Sequence, residues 1–131
     1  MVPILSLNVR QIVPDSRLPQ PNYARTGFYL FACRDVFFHA GEQKEIPTGI
    51  KFIFPDGYFG LIVTKTRIFG DEVDVITSMV DSSVHAVVSV LARNNTNEPK
   101  RILKNSCIAM LMIFPVVDIE VRLVQADNVM D

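Results

Sequence analysis

Residues 51–63 read KFIFPDGYFGLIV and set two apolar runs on either side of an Asp-Gly pair. Aromatic and β-branched residues are frequent in both runs, and such residues favour β-strands. Asp56-Gly57 suits a tight turn, because glycine takes the positive φ that such turns require without steric cost. The stretch therefore predicts a β-hairpin. It continues into TKTRIF at residues 64–69, a polar and basic cluster of the kind that holds phosphate.

The rest of the chain shows the alternation that half-buried strands require. Within residues 84–93, VHAVVSVLAR, one face carries only small apolar side chains, namely Val84, Ala86, Val88, Val90 and Ala92. Two shorter alternations lie near the ends of the sequence, with Leu5, Leu7 and Val9 in one and Ile119, Val121 and Leu123 in the other. Each of the three predicts a strand with one face in water.

Prolines and the lack of a helical period decide the fold class. The prolines mostly fall between the apolar runs, as expected of strands whose amides all donate to a ladder. The most helix-like segment, DEVDVIT at residues 71–77, is too rich in β-branched side chains to favour a helix. We therefore predict one all-β domain over residues 1–131, built as a jelly roll, β-sandwich or barrel.

The run CIAMLMIFPVV at residues 107–117 is apolar on both alternating faces. A strand of this kind has to be covered on both sides. Two explanations stay open. The strand is central and buried within its own sandwich, or its second face meets another subunit, because a large apolar patch in water favours association.

Composition and charge exclude several classes of protein. A chain of 131 residues, 49% of them apolar, is long enough for one compact domain. The net charge of −1 and the pI of about 6.1 provide no positive field for nucleic acid or an anionic membrane. Because the first residues resemble no signal peptide and no apolar run could span a bilayer, we predict a cytoplasmic or nuclear protein.

The cysteines and histidines predict no metal site. Cys33 and Cys107 each lie within an apolar run, which is typical of free buried thiols. His39 and His85 have no second histidine or cysteine at metal-ligand spacing, so we interpret both as structural.

Four segments resemble the trimeric dUTPase family in order and spacing. They are SRLPQPNYARTGFYLFA at residues 16–32, IPTGIKFIFPDGYFGLIV at 46–63, SMVDSSVHAVVSVLARN at 78–94 and NSCIAMLMIFP at 105–115. The resemblance implies a dUTPase-like jelly roll that usually assembles as a homotrimer. It also implies active sites between subunits, where dUTP is hydrolysed to dUMP and pyrophosphate with Mg²⁺.

The first motif of the family, similar to AGYDL, reads GFYLF here. Gly27 and Phe28 match, but Tyr29 stands where the resemblance implies the acidic residue associated with the metal site. A neutral phenol cannot replace a carboxylate beside Mg²⁺. We therefore predict no metal site.

The second motif, similar to PRSGLA, is the cluster TKTRIF. Lys65 keeps a positive charge and Thr66 keeps a hydroxyl. Arg67, however, replaces the glycine whose bare backbone would approach the phosphates, and its side chain obstructs such a cradle. We interpret Lys65 and Thr66 as the remnant of a phosphate-binding site.

The third motif retains one residue that the resemblance implies is catalytic. In SMVDSSVHA, Asp81 matches the general base that activates the attacking water. Val84 stands where the family has the tyrosine that packs against the deoxyribose. The alternative, which we favour, is that Asp81 is vestigial and opens an Asx turn before the next strand.

The last two motifs lack their ligand-binding residues. The fourth, similar to GDRIAQL, reads NSCIAML, so that Met110 replaces the phosphate-binding glutamine while Ile108, Ala109 and Leu111 are retained. The fifth is a glycine-rich C-terminal arm that closes over the nucleotide. It has no counterpart in VRLVQADNVMD at residues 121–131.

The residues that pack the sandwich are kept, whereas those for metal, phosphate, sugar and closure are altered together. Each lost group costs a factor of about a hundred or more in rate, roughly 3 kcal/mol. We predict a catalytically inactive, viral dUTPase-related protein, similar to the adenovirus early-region-four dUTPase-like proteins. It would form a homo-oligomer, expected to be a trimer, and bind host proteins without a cofactor, nucleic acid or membrane.

Two alternatives stay open. The first is a residual dUTP diphosphatase that uses Mg²⁺ and depends on Asp81. The second is a nucleotide binder without turnover, which dUMP or dUTP would stabilise by mass action.

Overall fold

The computed structural model describes residues 6–64 and 73–126. Those residues form eleven strands: β1 Asn8–Gln11, β2 Gln20–Pro21, β3 Phe28–Phe31, β4 Val36–Phe38, β5 Gln43–Ile53, β6 Tyr58–Val63, β7 Val73–Val75, β8 Ser78–Asp81, β9 Val87–Asn94, β10 Lys100–Ile102 and β11 Cys107–Pro115. Within this described part of the chain there is no helix that is long and apolar enough to cross a membrane.

The strands build a sandwich. The first sheet has four strands in the order β1-β5-β9-β7, and the second sheet has five in the order β2-β3-β11-β6-β8. β10 and β4 form a small separate ladder. Both main sheets send buried side chains into one core, including Ile46, Phe52 and Val90 from the first and Ile62 and Leu111 from the second. The predicted all-β, jelly-roll class is confirmed.

The predicted hairpin at Asp56-Gly57 is wrong, although the turn itself is present. Gly57 has a φ of +83°, as a tight turn requires. β5 and β6 do not pair, however, because β5 belongs to the first sheet and β6 to the second. Phe54 is buried in the core between them, and Pro55 has no amide hydrogen to donate to a ladder. The turn therefore carries the chain from one sheet to the other.

The strand predicted at residues 84–93 begins later than expected. β9 starts at Val87, and Ala86 is exposed rather than turned to the core. The delay has a local cause, since the Val84 amide donates to the Asp81 carbonyl at 3.1 Å and closes a turn. From Val88 onward the predicted face is buried.

The two terminal predictions have opposite outcomes. Leu7 and Val9 pack against the core beside β1, as predicted, while Leu5 lies outside the described residues. Residues 116–126 form no strand, so the strand predicted there is wrong for this single chain. Alternation alone makes no ladder, because each strand needs a neighbour for its amides. No described strand pairs with this segment, and Leu123 is 100% exposed.

β11 lies in the middle of the second sheet, between β3 and β6. Ala109 and Leu111 on one face are fully buried, but Met110, Met112 and Phe114 on the other are only partly covered. The explanation that both faces are buried within its own sandwich is therefore wrong. Cys33 is a buried free thiol as predicted, whereas Cys107 is only half-buried.

Candidate functional site

The second sheet gathers the segments that the sequence singled out. β3 carries the first motif and β11 the fourth, β6 leads into the second, and β8 ends at Asp81 of the third. The side of this sheet that points away from the core is called the outer face. It consists of Tyr29, Phe59, Leu61, Val63, Met79, Asp81, Met110, Met112 and Phe114. Asp81 is the only charged residue in the five strands of the sheet.

Asp81 stands at the end of β8, opposite Phe59. Its Oδ1 accepts hydrogen bonds from the Ser83 hydroxyl and from the Ser83 amide, the latter at 2.9 Å. This arrangement is the predicted Asx turn. The hydroxyl bond and then the amide bond hold the pKa of the Asp81 carboxyl below its usual range, because both stabilise the ionised form. Asp81 is thus a half-buried residue whose carboxylate is oriented by one serine.

Tyr29 and Met110 are Cα partners across β3 and β11. The Met110 side chain packs into the loop of the first motif, since a Cβ added at Gly27 would lie 3.0 Å from Met110 Cγ. The amide of Asn22 also donates to Met110 Sδ at 3.4 Å. A thioether therefore occupies the space beside the first motif, where the resemblance implies a glutamine.

Asp81 does not meet Tyr29 and Met110 within one chain. Met110 pairs with Val63 of β6, whereas Asp81 pairs with Phe59 at the other end of that strand. Four residues along a strand and two strand spacings put Met110 roughly 16 Å from Asp81, and three strand spacings put Tyr29 roughly 20 Å from it. A site that used both ends of the outer face would need a second copy of the chain.

The described residues of one chain do not fit a magnesium site. Mg²⁺ requires oxygen ligands, usually from one or two carboxylates. Among the described residues, no three Asp, Glu, His or Cys side chains lie close enough together to hold a metal ion. Tyr29 has a phenol at the position where the resemblance implies a carboxylate. The Asp81 carboxylate already accepts two hydrogen bonds from Ser83.

The predicted phosphate-binding remnant, Lys65 and Thr66, lies outside the described residues, as does Arg67. β6 ends at Val63. The Met110–Val63 pair therefore places the end of β6, which directly precedes the second motif, next to β11.

Sequence reasoning missed the apolar character of the outer face outside β11. The rings of Phe59 and Phe114 stack with centroids 5.5 Å apart, and Met79 is 59% exposed. The signal was present in YFGLIV at residues 58–63, which alternates apolar residues on both faces as residues 107–115 do. It was obscured by the expectation that YFGLIV formed half of a hairpin.

Comparison with protein families finds one matching model, described as dUTPase, over residues 15–131. Among curated proteins, the chain is 31% identical to the deoxyuridine 5'-triphosphate nucleotidohydrolase of Nautilia profundicola, over 90% of this chain and 82% of that protein. It is 30% identical to the enzyme of the same name from Haemophilus influenzae, over 85% of this chain and 82% of that protein.

The fold is also similar to solved structures of phage proteins. A variant of the dUTPase from phage phi11 of S. aureus, described with a structural Mg(II) ion, superposes with a TM-score of 0.82 at 20% identity. The match covers 93% of this chain and 98% of that one. The Staphylococcus bacteriophage 80alpha dUTPase superposes with a TM-score of 0.81 at 20% identity, over 95% and 99% of the two chains.

Proposed function

Because the chain belongs to the dUTPase family, we propose that it is a catalytically inactive member that acts through contacts with other proteins. One observation carries the proposal. Tyr29 and Met110 face each other in register where the resemblance implies a metal-associated acid and a phosphate-binding glutamine. A neutral phenol is a poor substitute for a carboxylate on Mg²⁺, because Mg²⁺ prefers charged oxygens, and a thioether has no hydrogen to donate to a phosphate chain.

The electrostatics of the second sheet support the same conclusion. Phosphate chemistry depends on positioned cations and donors that stabilise the transition state. The five strands of this sheet contain no lysine, arginine or histidine, and their one charged residue, Asp81, is itself negative. A triphosphate approaching the outer face would meet mostly hydrocarbon.

The direct test measures pyrophosphate release from dUTP with Mg²⁺, together with calorimetric titration of a non-hydrolysable dUTP analogue. We expect no release above the rate without protein and no saturable heat. The Haemophilus influenzae dUTPase is the positive control, since it matches most of this chain. Saturable heat without turnover would replace our proposal with that of a nucleotide binder.

A residual dUTP diphosphatase is the second candidate, and Asp81 favours it. A general base must be deprotonated, and the lowered pKa of Asp81 keeps its carboxylate ionised near neutral pH. The matched variant is Asp81→Asn, which has nearly the same shape without the charge. Release of pyrophosphate that Mg²⁺ supports and Asp81→Asn abolishes would establish this candidate and overturn inactivity.

The proposed binding of other proteins needs a separate test, because a catalytically inactive protein does not necessarily bind a partner. We propose host proteins as the partners, as for the viral members that this chain resembles. Affinity capture would use this chain and the Haemophilus influenzae dUTPase as parallel baits. A protein retained by this chain alone supports the role, and identical capture by both baits counts against it.

Self-association is the partner interaction with most support in the structure. The outer face is apolar apart from Tyr29 and Asp81, and residues 116–126 carry exposed apolar side chains, including Val121 at 93%. Water contact with so much hydrocarbon is unfavourable, so we propose that further copies cover both regions in a homotrimer. The single domain over residues 1–131 and the cytoplasmic or nuclear location remain predictions.

A further inference from the structure

A pocket on the first sheet brings Arg10 and Lys51, which lie outside the nucleotide motifs that the resemblance implies, next to Ser82, Val84 and His85 of the third motif. It lies between β1, the end of β5 and the turn after Asp81, and has a volume of about 440 Å³. Its lining consists of Arg10, Ile12, Lys51, Phe52, Ile53, Phe54, Ser82, Val84 and His85. That volume is within the range of small-molecule sites.

The ionisable residues of the pocket are all basic. They are Arg10, Lys51 and His85, and no carboxylate is among the described residues that line it. Asp81, which precedes the turn, is bonded to Ser83 instead. None of the three basic side chains makes a hydrogen bond or ion pair with a described residue.

The register of the sheet makes this arrangement unfavourable without an anion. Arg10 and Lys51 are directly opposite each other across β1 and β5. Lys51 points away from the core because it alternates with buried Phe52, and Arg10 is exposed beside it. Like charges directly opposite on one sheet face repel each other. A bound anion between them would remove that repulsion.

The remaining lining residues provide an apolar surface next to the charges. Ile12 and Ile53 are partly exposed, and Val84 is half-buried against the core. We propose that this pocket binds a small organic anion, with a phosphate or carboxylate held by Arg10 and Lys51 and an apolar body against Ile12, Ile53 and Val84. Arginine and lysine are the usual partners of such groups through charge-assisted hydrogen bonds.

The test titrates phenyl phosphate into the full chain, with inorganic phosphate and benzyl alcohol as matched probes for charge and apolar body alone. We expect saturable binding of phenyl phosphate that is tighter than that of either matched probe and weakens as salt is added. No saturable binding at millimolar concentration, or equally tight binding of benzyl alcohol, would overturn the proposal.

Three variants locate the site. Arg10→Gln and Lys51→Gln each remove one cation from the pocket, and we expect each to weaken binding about tenfold or more. Arg93→Gln removes a cation from the same sheet at an exposed position of β9, about 20 Å along the strand from the partner of Lys51, and should leave binding unchanged. Equal weakening by Arg93→Gln would mean that net charge, not the pocket, attracts the probe.

A second copy of the chain could bring its own carboxylates, such as Asp118 and Glu120, to the same cations. The mass in solution separates this source from a free anion. We expect the Arg10→Gln/Lys51→Gln double variant to keep the wild-type mass. A smaller mass would show that the pocket holds part of a neighbouring copy and would overturn the proposal. A dUTP analogue is itself an organic phosphate and could bind in this pocket, so its titration is repeated with the Arg10→Gln/Lys51→Gln double variant. Heat that the double variant loses belongs to this pocket, and heat that it keeps belongs to the nucleotide site, which separates this proposal from the proposed function.

Discussion

Asn94 is a fully buried polar residue at the end of β9 that holds two loops together. Its side-chain amide donates to the carbonyls of His39 at 3.1 Å and Glu98 at 2.7 Å. Its side-chain oxygen accepts from the amide of Thr96 at 3.0 Å and from the Thr96 hydroxyl at 2.7 Å. Both amide hydrogens and both lone pairs of the side-chain oxygen are therefore matched in a fully buried site.

Replacing Asn94 with alanine should lower the free energy of unfolding by about 2 kcal/mol or more, because buried groups lose their partners. Denaturant unfolding measures this. Asn97→Ala is the control, since Asn97 is exposed in the same loop. A loss as small as that of the control would mean that water replaces the Asn94 amide.

Ser83 sets the acidity of the candidate catalytic carboxylate. Its hydroxyl makes the larger contribution to the lowered pKa of Asp81, and its amide makes the smaller one. We expect Ser83→Ala to raise the pKa of Asp81 part of the way to its usual value. The rise is partial because the backbone amide of residue 83 still donates its hydrogen bond to the carboxylate. Carboxyl NMR titration measures the pKa, and an unchanged value would contradict the assignment to the hydroxyl.

The hydrogen bond from the Ser83 hydroxyl to Asp81 also makes the stability of the folded protein depend on pH. A lowered folded-state pKa stabilises the folded protein above the unfolded-state pKa, near 4, and this contribution is lost as the pH falls through the folded value. The difference in stability between wild type and Ser83→Ala should therefore be present at neutral pH and shrink as the pH falls below about 4. A difference that persists unchanged in acid would indicate a cause other than ionised Asp81.

At the scale of the element, the pairing of β5 with β9 is interrupted within the segment IPTGI at residues 46–50. The register shifts between Pro47 and Lys51, and Gly49 has a φ of +72°. Its carbonyl accepts from the Ile12 amide at 2.8 Å, so the bulge anchors the turn that follows β1. The Thr48 hydroxyl completes the bulge by donating to the Val88 carbonyl at 2.7 Å.

Gly49→Ala should destabilise the fold by about 3 kcal/mol, through the positive φ and a forced contact. A Cβ there would lie 2.9 Å from the Cβ atoms of Val13 and Ser16. Gly41→Ala is a matched control, because Gly41 also has a φ of +72° but has nothing within 4 Å of an added Cβ. Its cost should be about 1 kcal/mol. Equal losses in thermal or denaturant unfolding would show that the contact relaxes.

At the scale of the whole molecule, the exposed hydrocarbon is unevenly distributed. Phe59 and Phe114 stack on the outer face, and Met79 lies open beside them on β8. Residues 116–126 leave the end of β11 without a partner strand among the described residues. These two regions are the surfaces that an assembly of identical copies would cover.

Leu61→Glu, on the outer face, should therefore reduce the mass in solution, because burying an unpaired carboxylate in an interface is costly. Leu61 pairs with Met112 on one side and Met79 on the other. Light scattering after size-exclusion chromatography gives the mass. Leu103→Glu is the control, since Leu103 is exposed between β10 and β11. A monomeric wild type, or a Leu61→Glu variant of unchanged mass, would contradict assembly through this face.

The sequence alone determined the fold class and the family, because both depend on local features. Two-residue alternation predicts strands wherever one face is buried, and positive-φ glycines such as Gly57 mark turns whatever lies beyond them. The residues that stand at the motif positions implied by the resemblance, such as Tyr29 and Met110, could likewise be identified one position at a time. Local patterns along the chain were sufficient to predict the fold class, and residue identities at the motif positions were sufficient to predict the family.

The tertiary structure alone decided which strands pair, and hence what the surfaces carry. KFIF and YFGLIV look like a hairpin, but burial of Phe54 sends them to different sheets. Residues 119–123 alternate like a strand yet have no described neighbour to pair with. Only the register set Arg10 against Lys51 and separated Asp81 from Met110. Segments that are distant in the sequence compete for positions around one core. Which strands pair therefore cannot be predicted from the sequence of any one segment.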